Sequence, residues 1–136
     1  MQFKEFRGNI PVAVNVPYIP AASGAAGGGS FVVPNNMLIT AANVLWGASI
    51  TGTATNFFTI SFFNRTSGAG TVQWGTAIAY SNAVNATKAT PVAVTLSSTA
   101  SDLQLAAGDC VSVEITTTGT GLICPGGTVM PTLRNR

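Results

Sequence analysis

The side chains that perform most acid–base and nucleophilic chemistry are scarce in this sequence, and histidine is absent from it. Without histidine, neither a Ser-His-Asp triad nor a Cys-His pair can form. The four carboxylates are those of Glu5, Asp102, Asp109 and Glu114. A carboxylate pair for glycoside hydrolysis would have to come from these four, but a turn and half a predicted strand separate Asp109 from Glu114. We therefore expect that the chain is not an enzyme.

The cysteines and aspartates are the remaining candidates for a site. Cys110 and Cys124 are too few for a disulfide framework, and neither has a base nearby in sequence, so we predict unpaired, unreactive thiols. A disulfide stays open as the alternative if their strands are neighbours. Asp102 and Asp109 lack the oxygen-rich loop that calcium requires. Because Asp109 follows Gly108 in a turn, its carboxylate is predicted to cap that turn, and we expect no metal and no cofactor.

The chain is very poor in charge. Asp, Glu, Lys and Arg make up 7% of its residues, where about 25% is typical, and residues 8–64 contain none of them. A solitary soluble domain usually relies on a mixed-charge surface. The composition is therefore typical of a rigid β-protein that has other proteins against much of its surface. A net charge of +2 is too small to indicate nucleic-acid binding, which needs several basic residues on one surface.

No membrane segment or cleaved signal is expected. The most apolar stretch, residues 37–50, is shorter than the ~20 residues of a spanning helix, and Asn43 and Gly47 interrupt it. Residues 10–19 follow a charged start, but Pro11, Asn15 and Pro17 break the apolar core that a secretory signal needs.

The hydrophobic pattern predicts strands throughout. Short runs of β-branched and aromatic residues alternate with turn residues; for example, Phe58, Ile60 and Phe62 share one face of a strand. Eight strands are predicted, at residues 10–19, 30–33, 38–46, 57–63, 72–80, 91–97, 110–116 and 122–130. Eight strands with long connections predict an all-β fold, a single jelly-roll-like antiparallel β-sandwich. An immunoglobulin-like sandwich is the second choice, although its Cys…Trp…Cys spacing is missing.

The first 29 residues predict an extended arm and a linker ahead of a sandwich at residues 30–136. Pro11, Pro17 and Pro20 cannot donate ladder hydrogen bonds, so this segment is at best an edge strand or an arm. Residues 21–29 contain only Ala, Ser and Gly, which indicates a flexible linker. The competing interpretation is that the arm is the first strand of the sandwich itself.

The arm and one tryptophan supply the predicted partner-binding residues. Alternating apolar residues in the arm suit addition to a neighbour's sheet edge, where they would fill alternate pockets, and two basic residues would meet acidic groups there. Trp46, just before Gly47 at a strand end, is predicted to be a surface ring or an interface anchor. Trp74 is in register with other apolar residues and is predicted to be core. The arm residues are Lys4, Arg7, Val12, Val14, Val16 and Tyr18.

Residues 103–113 carry the most specific motif. Their pattern, Leu-x-Leu-x-x-Gly-Asp-x-Val-x-Val, resembles the penultimate-strand signature of complement- and tumour-necrosis-factor-like jelly rolls, which assemble as trimers. The arm, the Gly/Ala linker, the Thr/Ala/Gly-rich strands and the turn at residues 106–109 together resemble the decoration, or cement, proteins of tailed-phage capsids. The resemblance implies a virion structural protein, made in the host cytoplasm, that binds the major capsid protein lattice.

Self-association is expected as well. The uncharged surface that short strands leave on so small a domain predicts a homo-oligomer, and the resemblance implies a trimer ahead of a dimer. The alternative function is a receptor- or carbohydrate-binding β-module of a phage tail fibre or a cell-surface protein. That alternative depends on aromatic rings that could stack on sugars, of which Trp46 is the best candidate.

Overall fold

β-Strands dominate the computed structural model, which describes residues 8–65 and 72–136. A short 3₁₀ helix, Ala100–Leu103, precedes β8. The strands are β1 (Ile10–Pro11), β2 (Val14–Val16), β3 (Ala26–Val32), β4 (Met37–Trp46), β5 (Phe57–Asn64), β6 (Val72–Ala79), β7 (Val92–Ala93), β8 (Gln104–Leu105), β9 (Cys110–Thr118) and β10 (Gly127–Asn135).

The strands form two antiparallel sheets packed face to face. In the first sheet β1 and β2 pair with β10, β10 pairs with β4, and β4 pairs with β7 and β8; the second sheet has the order β3-β9-β5-β6. Counting β1–β2 and β7–β8 each as one interrupted strand gives eight strands in the described part of the chain. The first then pairs with the last, the second with the seventh, the third with the sixth and the fourth with the fifth. This winding confirms the predicted jelly-roll sandwich.

The core lies between the sheets and follows the predicted alternation in the central strands. Phe58, Ile60 and Phe62 of β5 are fully buried. Val111 and Val113 of β9 are equally buried, and β9 lies between β3 and β5. Because each strand of a two-layer sandwich turns one face to the core, period-2 alternation is a sufficient signal for these strands.

The predicted arm is wrong for residues 10–16, which are the first strand of the sandwich. β1 and β2 both pair with β10, and Val14 and Val16 are 3% and 2% exposed. Burial of these side chains in their own core, together with the β10 ladder, leaves no room for docking on a neighbour's sheet. The competing interpretation of this segment, as the first strand, is the correct one.

Pro131 explains why the first strand is interrupted. The Val12 N–H donates to the Pro131 carbonyl at 2.9 Å, so the main-chain groups of Pro131 face the first strand. In an antiparallel strand the N–H and C=O of one residue point to the same side. The N–H that proline lacks would therefore face the first strand too, and pairing there is broken between β1 and β2.

The predicted linker is wrong for residues 26–29, which belong to β3. A Cβ atom on Gly29 would lie 2.5 Å from the Asn15 carbonyl oxygen and 3.0 Å from Val14 Cγ1. One on Gly27 would lie 3.0 Å from Ile19 Cδ1. The glycine run thus serves close approach between the first strand and β3, which composition alone does not distinguish from flexibility.

Deleting residues 1–20 is expected to abolish cooperative unfolding in a thermal or urea melt followed by circular dichroism. The deletion removes the partner of β10 and the buried side chains of Val14, Val16 and Ile19. Each contributes about 2 kcal/mol of burial, against a total stability of about 5–15 kcal/mol. The control is Tyr18→Ala, at a 62% exposed position, which should change stability by less than about 0.5 kcal/mol. A truncated chain that still melts cooperatively would contradict the assignment.

Gly29→Ala is expected to destabilise the fold by about 1–3 kcal/mol, because the added methyl group meets the main chain of Asn15. The matched control is Gly8→Ala, where nothing lies within 4 Å. The control should be neutral or slightly stabilising, since alanine restricts the unfolded chain. Urea denaturation of the two variants measures the difference; equal stability would show that the approach is looser than described.

Candidate functional site

Of the predicted partner-binding residues of the arm, the four that the structure describes do not form one surface. Val14 and Val16 are core residues, Val12 is partly buried against that core, and Tyr18 is 62% exposed. Lys4 and Arg7 lie outside the described residues. The prediction that valines fill a neighbour's pockets is therefore wrong for Val14 and Val16, because they fill the pockets of their own sandwich.

The prediction of Trp46 as a surface ring is also wrong. Trp46 is 2% exposed, and its indole N–H donates to the Tyr80 hydroxyl oxygen at 2.7 Å. Its ring packs edge-on against Phe58 and Tyr80, with centroids 5.5 and 5.6 Å apart. The signal for burial was its phase in β4, where Ala42, Val44 and Trp46 share the inner face. Burial raises the pKa of Tyr80, an effect that the Trp46 hydrogen bond opposes.

Asp109 is structural, as predicted. Its carboxylate accepts hydrogen bonds from the Ala106 N–H at 2.9 Å and the Asn64 side-chain amide at 2.8 Å. The first bond caps the turn, and the second fastens that turn to the end of β5. Within residues 8–65 and 72–136, no group of three or more Cys, Asp or Glu side chains could hold a metal ion.

A bidentate ion pair on the outer face of the second sheet was missed by sequence reasoning. Arg65 Nε and Nη2 donate to the two carboxylate oxygens of Glu114 at 2.6 and 2.7 Å, and the guanidinium lies 4.8 Å from the centre of the Phe63 ring. The hydrogen bond from Arg65 lowers the pKa of Glu114. The partners are 49 residues apart, so only the β5–β9 pairing brings them together.

An open polar groove of about 530 Å³ lies at the edge formed by β6 and the segment after β7. Ser97 Oγ donates to the Asp102 carboxylate at 2.6 Å in its wall. The other lining residues are Val72, Gln73, Gly75, Thr76, Thr95, Leu96 and Ser98. The described lining residues offer hydroxyl, amide and carboxylate groups, and none of them is an aromatic ring on which a sugar could stack.

An apolar cleft of about 340 Å³ lies where the first strand meets the end of β3. It is lined by Val12, Phe31, Val32, Val33, Pro34, Met37 and Leu133. None of these described lining residues is charged, so they suit an apolar side chain, and none of them supplies a group for acid–base chemistry.

Both cysteines are free, which confirms the prediction of unpaired thiols. Cys110 is partly exposed at the start of β9, whereas Cys124 is completely buried with its Sγ atom 3.8 Å from the Pro17 carbonyl oxygen. Burial raises the pKa of the Cys124 thiol. Since the thiolate is the reactive form, Cys124 is inert in the native state.

A thiol titration of the native protein should therefore show one accessible group. Cys110 should react at once with a disulfide reagent, and Cys124 only as fast as the protein opens. The variant Cys124→Ser should lose the slow phase and keep the fast one, and denaturant should merge the two phases in the parent. A denatured, unreduced chain with no free thiol would show a disulfide instead.

Comparisons of the chain with protein-family models, with curated proteins and with solved structures found no match. No helix among the described residues is long and apolar enough to cross a membrane.

Proposed function

We propose that this chain is a virion structural protein, a decoration or cement subunit that binds the outside of a major capsid protein lattice and stabilises the head. The observation that carries the proposal is a β-sandwich whose surface, within the described residues, carries very few charges. Such a surface suits a subunit that is largely covered by other proteins in its working state.

Seven charged residues lie in the described part of the chain, and five of them are paired with each other, buried or at the C-terminal end; the other two are Lys88, which is exposed, and Asp102, which is half-buried. Arg65 and Glu114 neutralise each other on the outer face of the second sheet, and Asp109 is buried. Arg134 and Arg136 are exposed at the C-terminal end. These basic residues would meet acidic groups of a partner, which makes attachment sensitive to salt.

Exposed apolar side chains add to the neutral surface. Within residues 8–65 and 72–136, five large ones are 40–63% exposed: Tyr18, Val32, Val72, Val84 and Ile123. Single exposed apolar residues are normal in soluble proteins. On a surface with so little charge, however, they leave long stretches that water solvates weakly and that another protein could cover.

A receptor- or carbohydrate-binding module is the second candidate function, and the polar groove supports it. The hydroxyl of Ser97 and the carboxylate of Asp102 could hydrogen-bond sugar hydroxyls. The support is weaker than sequence reasoning expected, because the best candidate ring, Trp46, is buried in the core. Glycan binding that is lost on Asp102→Asn would favour this function over attachment to a capsid.

The proposal predicts saturable binding to assembled particles. The purified chain should sediment with capsids isolated from the same source and stripped of it, and it should not bind the unassembled capsid protein, because the lattice creates the site. Raising the salt concentration should weaken binding. Failure to sediment with particles at saturating concentration in low salt would contradict the proposal.

A further inference from the structure

The two edges of the second sheet differ in what covers them. At the β6 edge, the Thr76 N–H donates to the Thr95 carbonyl at 2.8 Å, and the Ser97 N–H donates to the Trp74 carbonyl at 2.9 Å. The segment after β7 thus occupies that edge. At the opposite edge, β3 has one strand partner within the described part of the chain, β9.

The direction of the main-chain groups along β3 follows from the residue after it. The Val33 N–H donates to the Asp109 carbonyl at 2.9 Å, and the Val33 carbonyl accepts from the Gly108 N–H at 2.8 Å. Both groups of Val33 therefore point towards the β9 side. Because this direction alternates along an antiparallel strand, the odd-numbered residues of β3 face β9 and the even-numbered ones face away.

The hydrogen bonds of β9 indicate independently which residues of β3 point towards it. The Arg65 N–H donates to the Cys110 carbonyl at 2.8 Å, so the polar groups of Cys110 point towards β5. Those of the next residue, Val111, then point towards β3, where Val111 is paired with Phe31. Phe31 and the other odd-numbered residues of β3 are thus the ones bonded to β9.

Among the described residues, the even-numbered positions of β3 leave a row of main-chain donors and acceptors without a main-chain partner. Ala26, Gly28, Ser30 and Val32 point their N–H and C=O groups away from β9, and all four residues are exposed. β3 contains no charge or proline, and its seven registered pairs with β9 show no bulge. Charged residues, prolines and β-bulges are features by which proteins protect an edge strand from pairing with another chain, and β3 has none of these three.

The residues of the β3 edge are also complementary to the same residues of a second copy. If two copies of β3 pair antiparallel about a two-fold axis at Gly29, Gly28 lies opposite Ser30 and Ala26 lies opposite Val32. Outward-pointing residues then face outward-pointing residues, as hydrogen-bonded pairs require. No like charges meet, the side chains of these even-numbered pairs are small, and Val32, which is 63% exposed, gains Ala26 as an apolar neighbour. In the same register Phe31 lies opposite Gly27, which has no side chain to oppose it.

We propose that the free edge of β3 pairs with the same edge of a second copy of this chain, joining two four-stranded sheets into one continuous sheet. Such an isologous contact closes after two copies. The edge therefore favours a dimer, where the resemblance to trimeric jelly rolls implies a trimer. The inference goes beyond the proposed function, because formation of the pair requires no capsid.

Ser30→Pro tests the proposal with little cost to the fold. The Ser30 N–H points away from β9, so proline removes no bond of the β3–β9 ladder and sits where an edge strand accepts it. It does remove a donor of the edge and places its ring in the path of an added strand. The matched control, Ser30→Ala, leaves the main chain unchanged.

Light scattering coupled to size exclusion, run over a range of micromolar concentrations, measures the outcome. The parent and Ser30→Ala should be dimers. Ser30→Pro should raise the dissociation constant of the dimer by about 100-fold. Each copy loses the hydrogen bond that its Ser30 N–H donates to the other copy, so the dimer loses two. Circular dichroism should show the same fold for all three proteins.

A second variant tests the proposal even if the proline variant does not fold. Ser30→Lys keeps the N–H and places like charges on neighbouring residues across the axis, so it should weaken the dimer most at low salt. A parent that is monomeric at every concentration, or a dimer that survives both Ser30→Pro and Ser30→Lys, would overturn the proposal. Because the measurement contains no particles, its failure is distinct from failure to bind capsids.

Discussion

The close approach of the first strand to the glycine run of β3 is the contact on which the rest of the structure depends. The free side of the first strand points at Gly29, whose missing side chain leaves room for the Asn15 carbonyl. Reciprocal bonds between Ile19 and Cys124, at 3.0 and 2.9 Å, hold the connecting chain at the same corner. One side of the sandwich is thereby closed, and the only strand edge that this corner leaves facing outward within the described residues is that of β3.

The neutral surface and the unprotected edge have one physical consequence. Charges on a surface and on an edge strand both keep a β-protein from associating, and this chain largely lacks both. Among the described residues, the charges on the outer face of the second sheet are those of Arg65 and Glu114, which neutralise each other. A protein of this kind is suited to assembly through main-chain hydrogen bonds and apolar contact, which is the basis of the proposed structural role.

Alternation predicted the strands whose two faces differ, and it failed where the backbone departs from regular pairing. β5 was predicted correctly because every second residue is buried. In β9 the predicted inward residues Val111, Val113 and Ile115 are buried, and Ser112 between them is buried as well. In β6, register shifts against β5 place Gly75 rather than Thr76 opposite the buried Phe62. Val72 pairs with the buried Asn64 but lines the open groove and is 40% exposed. The glycines of β3 were predicted to form a linker. The sequence does not show that the main chain of Asn15 occupies the space that a side chain at Gly29 would need. The turn at Asp109 could be predicted because its hydrogen bond joins residues three positions apart in the sequence. The free edge of β3 could not be predicted, because it depends on which strand ends the second sheet.

Amide hydrogen exchange along β3 tests most directly which of its main-chain groups are bonded to β9 and which are free to pair with another copy. In dilute protein, the amides of Gly27, Gly29 and Phe31 should be protected by β9, and those of Gly28, Ser30 and Val32 should exchange rapidly. At concentrations where the protein self-associates, the second set should become protected as well. Protection of Gly28 and Ser30 in a dilute monomer, or the absence of alternation, would contradict the account.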